Sequence, residues 1–167
     1  MRALLAIPLI ILAACSDDAG ADQKAKATVD KTALQLAAGQ WETTTELTNV
    51  TAQDKGIPVL NASDKTTIST CIGETEGKKP APAVLAGMED CTYDNVYMTR
   101  GRITASMSCT KPGLSGKILV SSEGSYTADG FETNADIQTY LPTDGDVRAA
   151  AKITGKRVGA CTAPAAA

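Results

Sequence analysis

The chain contains no histidine and very little aromatic material: one Trp, one Phe and four Tyr in 167 residues. Histidine is the side chain that titrates near neutrality, so without it general acid–base work would fall to carboxylates with perturbed pKa values. Mixed Cys/His zinc sites lose their nitrogen donors, and no Cys-x-x-Cys spacing occurs for an all-Cys site or a redox dithiol. No metal and no cofactor is therefore expected. Few aromatics imply a thin core, with Thr, Ser, Gly and Ala filling the gaps. An excess of basic charge is missing too: 16 Lys and Arg against 19 Asp and Glu give a net charge of −3. That excludes a surface that holds nucleic acid through its phosphates. Nor does any apolar run reach the roughly 20 residues that a membrane-spanning helix needs.

A shorter apolar run opens the chain. Met1 and Arg2 precede an apolar stretch from Ala3 to Leu12, broken only by Pro8, and composition turns polar at Ser16-Asp17-Asp18. A charged start, a short apolar segment and small residues before a cut describe a secretory signal. A buried amphipathic helix fits poorly, since the stretch has no polar face. The segment Leu12-Ala13-Ala14-Cys15 resembles the bacterial lipobox, in which the Cys thiol receives a diacylglyceryl group and becomes the first mature residue. By the enterobacterial sorting rule, Ser16 rather than Asp after that Cys implies an outer-membrane lipoprotein facing the periplasm. Residues 1–14 are thus expected to be a signal peptide and 15–38 a lipidated, flexible tether in which 32–38 has helical potential. The β domain is expected over 39–161, with a disordered Ala/Pro tail over 162–167.

Within the domain the dominant period is two. Phe131, Thr133, Ala135, Ile137, Thr139 and Leu141 alternate with polar neighbours, as do Val147, Ala149, Ala151, Ile153 and Gly155. This is the pattern of antiparallel strands with one wet face. Turn chemistry at Thr127-Ala128-Asp129-Gly130 and Pro142-Thr143-Asp144-Gly145 precedes these two strands. Further strands are expected over 41–49, 65–72, 91–98, 102–110 and 115–126, with a loop over 73–88 that holds one helical turn at 83–86. The expected fold class is all-β, an antiparallel meander forming a small barrel or curled sandwich.

Four cysteines remain after Cys15: Cys71, Cys91, Cys109 and Cys161. An even count in an oxidising compartment reads as two disulfides. If Thr99-Arg100-Gly101 is a three-residue turn, Tyr97 faces Ile103, Asn95 faces Ala105, Tyr93 faces Met107 and Cys91 faces Cys109. Opposed Cβ atoms in such a ladder lie near disulfide reach. That register favours Cys91–Cys109 with Cys71–Cys161; Cys71–Cys91 with Cys109–Cys161 stays open.

Gly39-Gln40-Trp41-Glu42 at the domain start, Thr70-Cys71-Ile72, Asp90-Cys91, Ser108-Cys109-Thr110 and the closing Thr154-Gly155-Lys156-Arg157-Val158-Gly159-Ala160-Cys161 form an ordered set. It resembles the bacterial domain-of-unknown-function 3617 family of exported proteins, over about 39–161. The family has no established activity, so the resemblance leaves function open. Gly39-Gln40-Trp41 with the late Arg157 is also similar to lipocalin-like barrels. That second resemblance implies a Trp closing the barrel floor and an Arg across its ring by cation–π attraction.

Candidate catalytic groups are sparse. Glu74 and Glu76 read as solvated loop acids, Asp144-Gly145-Asp146 as a turn lacking the further ligands of a calcium loop, and Ser121-Ser122 has no visible base. The expectation is a non-enzymatic accessory or structural envelope protein, partnered with the membrane through a lipid on Cys15. The alternative is lipocalin-like binding of a small apolar ligand, with Gly39, Trp41, Gly155 and Arg157 as the structural motif. A barrel filled by small side chains around a core Trp41 is preferred to an open cavity.

Overall fold

Seven strands are hydrogen-bonded side by side into one antiparallel sheet in a computed structural model that describes residues 34–54, 60, 64–142 and 145–162. The apolar N-terminal segment, Cys15 and residues 163–167 lie outside the described residues. The strands are β1 (Gly39–Ala52), β2 (Lys65–Ile72), β3 (Cys91–Thr99), β4 (Arg102–Cys109), β5 (Lys117–Tyr126), β6 (Gly130–Tyr140) and β7 (Val147–Gly159). A single short helix, α1 (Pro82–Ala86), interrupts the connection from β2 to β3.

The sheet order is β2-β1-β7-β6-β5-β4-β3. The last five strands are a meander, and β1 closes onto β7 from the other end of the chain. Edge strands β2 and β3 are not paired with one another, so the sheet curls into a half-barrel. The period-two pattern explains the curl's two faces. Phe131, Thr133, Ala135, Ile137 and Thr139 of β6 all point inward and are buried, as are Val147, Ala149, Ala151, Ile153 and Gly155 of β7. The outer face carries cross-strand ion pairs, Lys152–Glu132 and Arg148–Asp136 at 3.0 Å each and Lys65–Glu46 at 3.9 Å. All are exposed, and such pairs contribute little to stability.

A half-barrel leaves its concave face in need of a second layer. The β2–β3 connection supplies it. Helix α1 packs against β1, β3, β4, β5 and β7, with Val84, Leu85 and Ala86 wholly buried. Thr43 Oγ1 on β1 donates to the Val84 carbonyl at 3.0 Å, tying helix to sheet. The expected loop with one helical turn is therefore the central plug of the core.

Two expectations need correction. The β3–β4 turn is the two-residue Arg100-Gly101, both at positive φ (51° and 77°), as a type I′ turn requires. A bulge at Asp94 then absorbs one residue. Cys91 still faces Cys109 and Tyr93 still faces Met107, but Tyr97 faces Thr104 and stands 64% exposed. Val96 and Met98, rather than Asn95 and Tyr97, lie against the core. The physical reason is that an edge strand tolerates a bulge, which lets both apolar side chains turn inward. Second, the last residues assigned to a flexible tether are part of the domain and carry no helix. Leu36 is buried at 1% exposure, Leu36 N donates to Gly77 O at 2.9 Å, and Ala37 N donates to Ala128 O at 2.7 Å.

Candidate functional site

The two ends of the half-barrel differ. At one end the strands bring together all four residues of the sequence motif. Trp41 is fully buried, and its indole N–H donates to the Ala37 carbonyl at 2.9 Å. Its ring stacks on Phe131, with centroids 6.1 Å apart and planes at 24°. Phe131 in turn lies where a side chain on its cross-strand partner Gly155 would be, so any larger residue there would expel the ring. Arg157 pairs with Trp41 across β1 and β7, beside a bulge at Val158. Its guanidinium lies against Gly39, whose φ is +142°, and Nε donates to the Ala38 carbonyl at 2.7 Å. The expected cation–π contact with Trp41 is thus replaced by a charged hydrogen bond to backbone; the cation–π pair among the described residues is Lys79 over Tyr93, at 5.9 Å. Tyr126 O–H donates to the Leu34 carbonyl at 3.0 Å, completing this packed end. Burial pushes the Tyr126 phenol up, with a backbone hydrogen bond at Gly101 acting the other way.

The disulfides follow the favoured pairing. Cys71–Cys161, with Cα atoms 5.4 Å apart, fastens β2 to the end of β7 across the intervening β1. Cys91–Cys109, with Cα atoms 4.0 Å apart, fastens the β3–β4 hairpin far from its turn.

Toward that second bridge the interior opens. A cavity of about 340 Å³ lies beyond the C-terminal end of α1, between β1–β2 on one side and the loop after β4 on the other. Leu47, Leu60, Ile68, Met88, Ile118 and Ile137 supply its apolar wall. Thr45, on the same wall, has a buried hydroxyl with no hydrogen-bond partner among the described residues. Asp64, Glu89, Asp90 and Lys111 stand at its exposed margin. The volume falls within the range of small-molecule sites, which are mostly apolar clefts. Sequence reasoning did not find these residues. They come from separate segments, and Ile68 is flanked by Thr and Ser in its strand; the apolar Val84-Leu85-Ala86 inside a polar loop was the one legible signal that the connection turns inward.

Other candidate side chains have structural duties. Glu76 Oε2 accepts from Gly73 N at 2.7 Å, and Asp146 Oδ1 accepts from Leu141 N at 2.7 Å and Thr139 Oγ1 at 3.2 Å. Ser121 is exposed, while the Ser122 hydroxyl is buried without a partner among the described residues. Tyr93 donates to the Pro80 carbonyl at 3.0 Å, and burial raises its phenol well above the usual range.

Fold and cavity together define a disulfide-stapled, helix-plugged β half-barrel. The chain belongs to the DUF3617 family, described as a protein of unknown function, whose model matches residues 36–161. The match begins at Leu36, which is buried in the domain, and ends at Cys161, in the bridge across β1. No curated protein and no solved structure matches the chain.

Proposed function

We propose that the protein is a cell-envelope lipoprotein, anchored through Cys15 in the outer membrane and facing the periplasm, whose domain is a non-enzymatic accessory holding a small apolar ligand. The observation that carries the ligand reading is the cavity of about 340 Å³ walled by Leu47, Ile68, Met88, Ile118 and Ile137. Apolar wall that stays hollow forfeits packing, and a ligand that fills it regains those contacts. Two disulfides suit an oxidising compartment. The domain's entry point also suits the anchor: residues 34–38 join the packed end, opposite the cavity. The carboxylates nearest to a catalytic reading, Glu76 and Asp146, are occupied in holding turns, which favours binding over chemistry.

Native mass spectrometry of the protein purified from its own host tests the ligand reading. A retained apolar small molecule supports it; a retained protein with an empty cavity would favour a purely structural accessory role. The anchor is tested by Cys15→Ser, which should abolish lipid labelling and membrane fractionation while the domain stays folded. A variant that still carries lipid would refute the assignment.

A further inference from the structure

We infer that the cavity takes a single-chain amphiphile with a positively charged head group, an assignment that rests on the reading of the cavity as an apolar ligand site. The interior sets the chain. Its wall of Leu47, Ile68, Met88, Ile118 and Ile137 is hydrocarbon and thioether, and Thr45 places a buried hydroxyl beside them. About 340 Å³ holds roughly a dozen methylene-sized groups, each near the 30 Å³ of a liquid water molecule. That is one chain of medium length and too little room for a diacyl lipid.

The margin sets the head. Glu89 and Asp90 directly follow Met88 of the wall, both are exposed, and their carboxylates make no ion pair among the described residues. Their backbone is fixed: Cys91 N donates to the Glu89 carbonyl at 2.9 Å, Thr110 N donates to the Asp90 carbonyl at 2.8 Å, and the Cys91–Cys109 bridge is adjacent. Asp64 stands on the β2 side of the opening, and Lys111 is the one basic residue lining it among the described residues. Glu89 and Asp90 against Lys111 leave the margin negative among the described residues. A fatty-acid carboxylate or a phosphate would bring like charge to it, whereas an ammonium would be attracted there while its chain lies inside.

The test uses the full-length chain carrying Cys15→Ser, oxidised and free of detergent. It is titrated below micelle concentrations with dodecyltrimethylammonium and with dodecanoate, while NMR follows the methyl groups of Ile68, Met88, Ile118 and Ile137. The cation should bind at least about tenfold tighter at low salt, and the ratio should shrink at about 0.5 M salt, where exposed charges are screened. It should shrink likewise in Glu89→Gln/Asp90→Asn, which neutralises two exposed carboxylates that make no ion pair among the described residues. Dodecanoate binding as tightly as the cation, or a preference untouched by the double substitution, would overturn the head-group assignment and leave the apolar site standing. No methyl shift with either probe would overturn both.

Discussion

At the packed end of the half-barrel, Trp41 stacks on Phe131, Phe131 lies on Gly155, and residues 34–38 close over them. At the other end, Leu47, Ile68, Ile118 and Ile137 surround about 340 Å³ of space. The contrast follows from composition. The chain has one Trp and one Phe, and both are spent at the same end. Interiors reach native density only where side-chain volume matches the space between elements. A curled sheet of seven strands provides more interior than one Trp, one Phe and a five-residue helix can fill, so the aliphatic and Thr-lined end stays hollow. A scarcity of aromatics that reads in sequence as a thin core thus becomes, in three dimensions, a core whose Trp–Phe stack sits at one end while aliphatic side chains line the other.

The largest expected effect tests which end the covalent staples secure more strongly. Cys71–Cys161 spans 90 residues and Cys91–Cys109 spans 18. By loop entropy, replacing the first pair with Ala should cost about 4–5 kcal/mol and replacing the second about 3. Urea unfolding without reductant measures both, and the reverse order would show that strain or residual structure outweighs chain entropy.

Side-chain packing gives the next contrast. Trp41→Ala removes a buried ring, its stacking partner and its hydrogen bond, and should cost about 3–5 kcal/mol. Ile68→Ala on the cavity wall, already partly exposed, should cost about 1 kcal/mol or less. Equal losses in equilibrium unfolding would mean that the cavity end is packed as tightly as the Trp41 end.

Arg157→Ala should cost about 1–2 kcal/mol, because it strips a charged donor from the Ala38 carbonyl. Hydrogen exchange of the Trp41 indole N–H should accelerate with it, as residues 34–38 loosen. Unchanged exchange would show that Arg157 does not hold that segment.

The smallest effect has the opposite sign. Thr45→Val replaces a buried hydroxyl that has no partner among the described residues with a methyl of the same shape. A gain of up to about 1 kcal/mol in unfolding free energy is expected. A loss of that size would reveal a partner for the hydroxyl and a more polar cavity end.

Much of the fold is legible in the sequence because alternation is a local property: a side chain's face in a strand depends on its parity, and burial of one face fixes the register. The inward sets of β6 and β7 follow from that rule alone, whereas Cys91 meets Cys109 because the Asp94 bulge offsets the one residue by which the turn is shorter than expected. Parity fails where an extra residue enters, and the Asp94 bulge placed Val96 and Met98 inward in spite of the simpler count. Arg157 shows a second limit. Its position opposite Trp41 is a matter of strand pairing, but the choice between ring and carbonyl depended on where Ala38 and Gly39 lie.

By itself the sequence determined the all-β class, the absence of histidine chemistry and the expectation of two bridges from four cysteines, since each follows from residue type, count or period. Only the tertiary structure decided that the sheet stays open, that α1 fills its concave face and that a cavity remains beyond the helix. Those features depend on segments as distant as Leu47, Met88 and Ile137 converging, and on whether their summed volume fills the space they enclose.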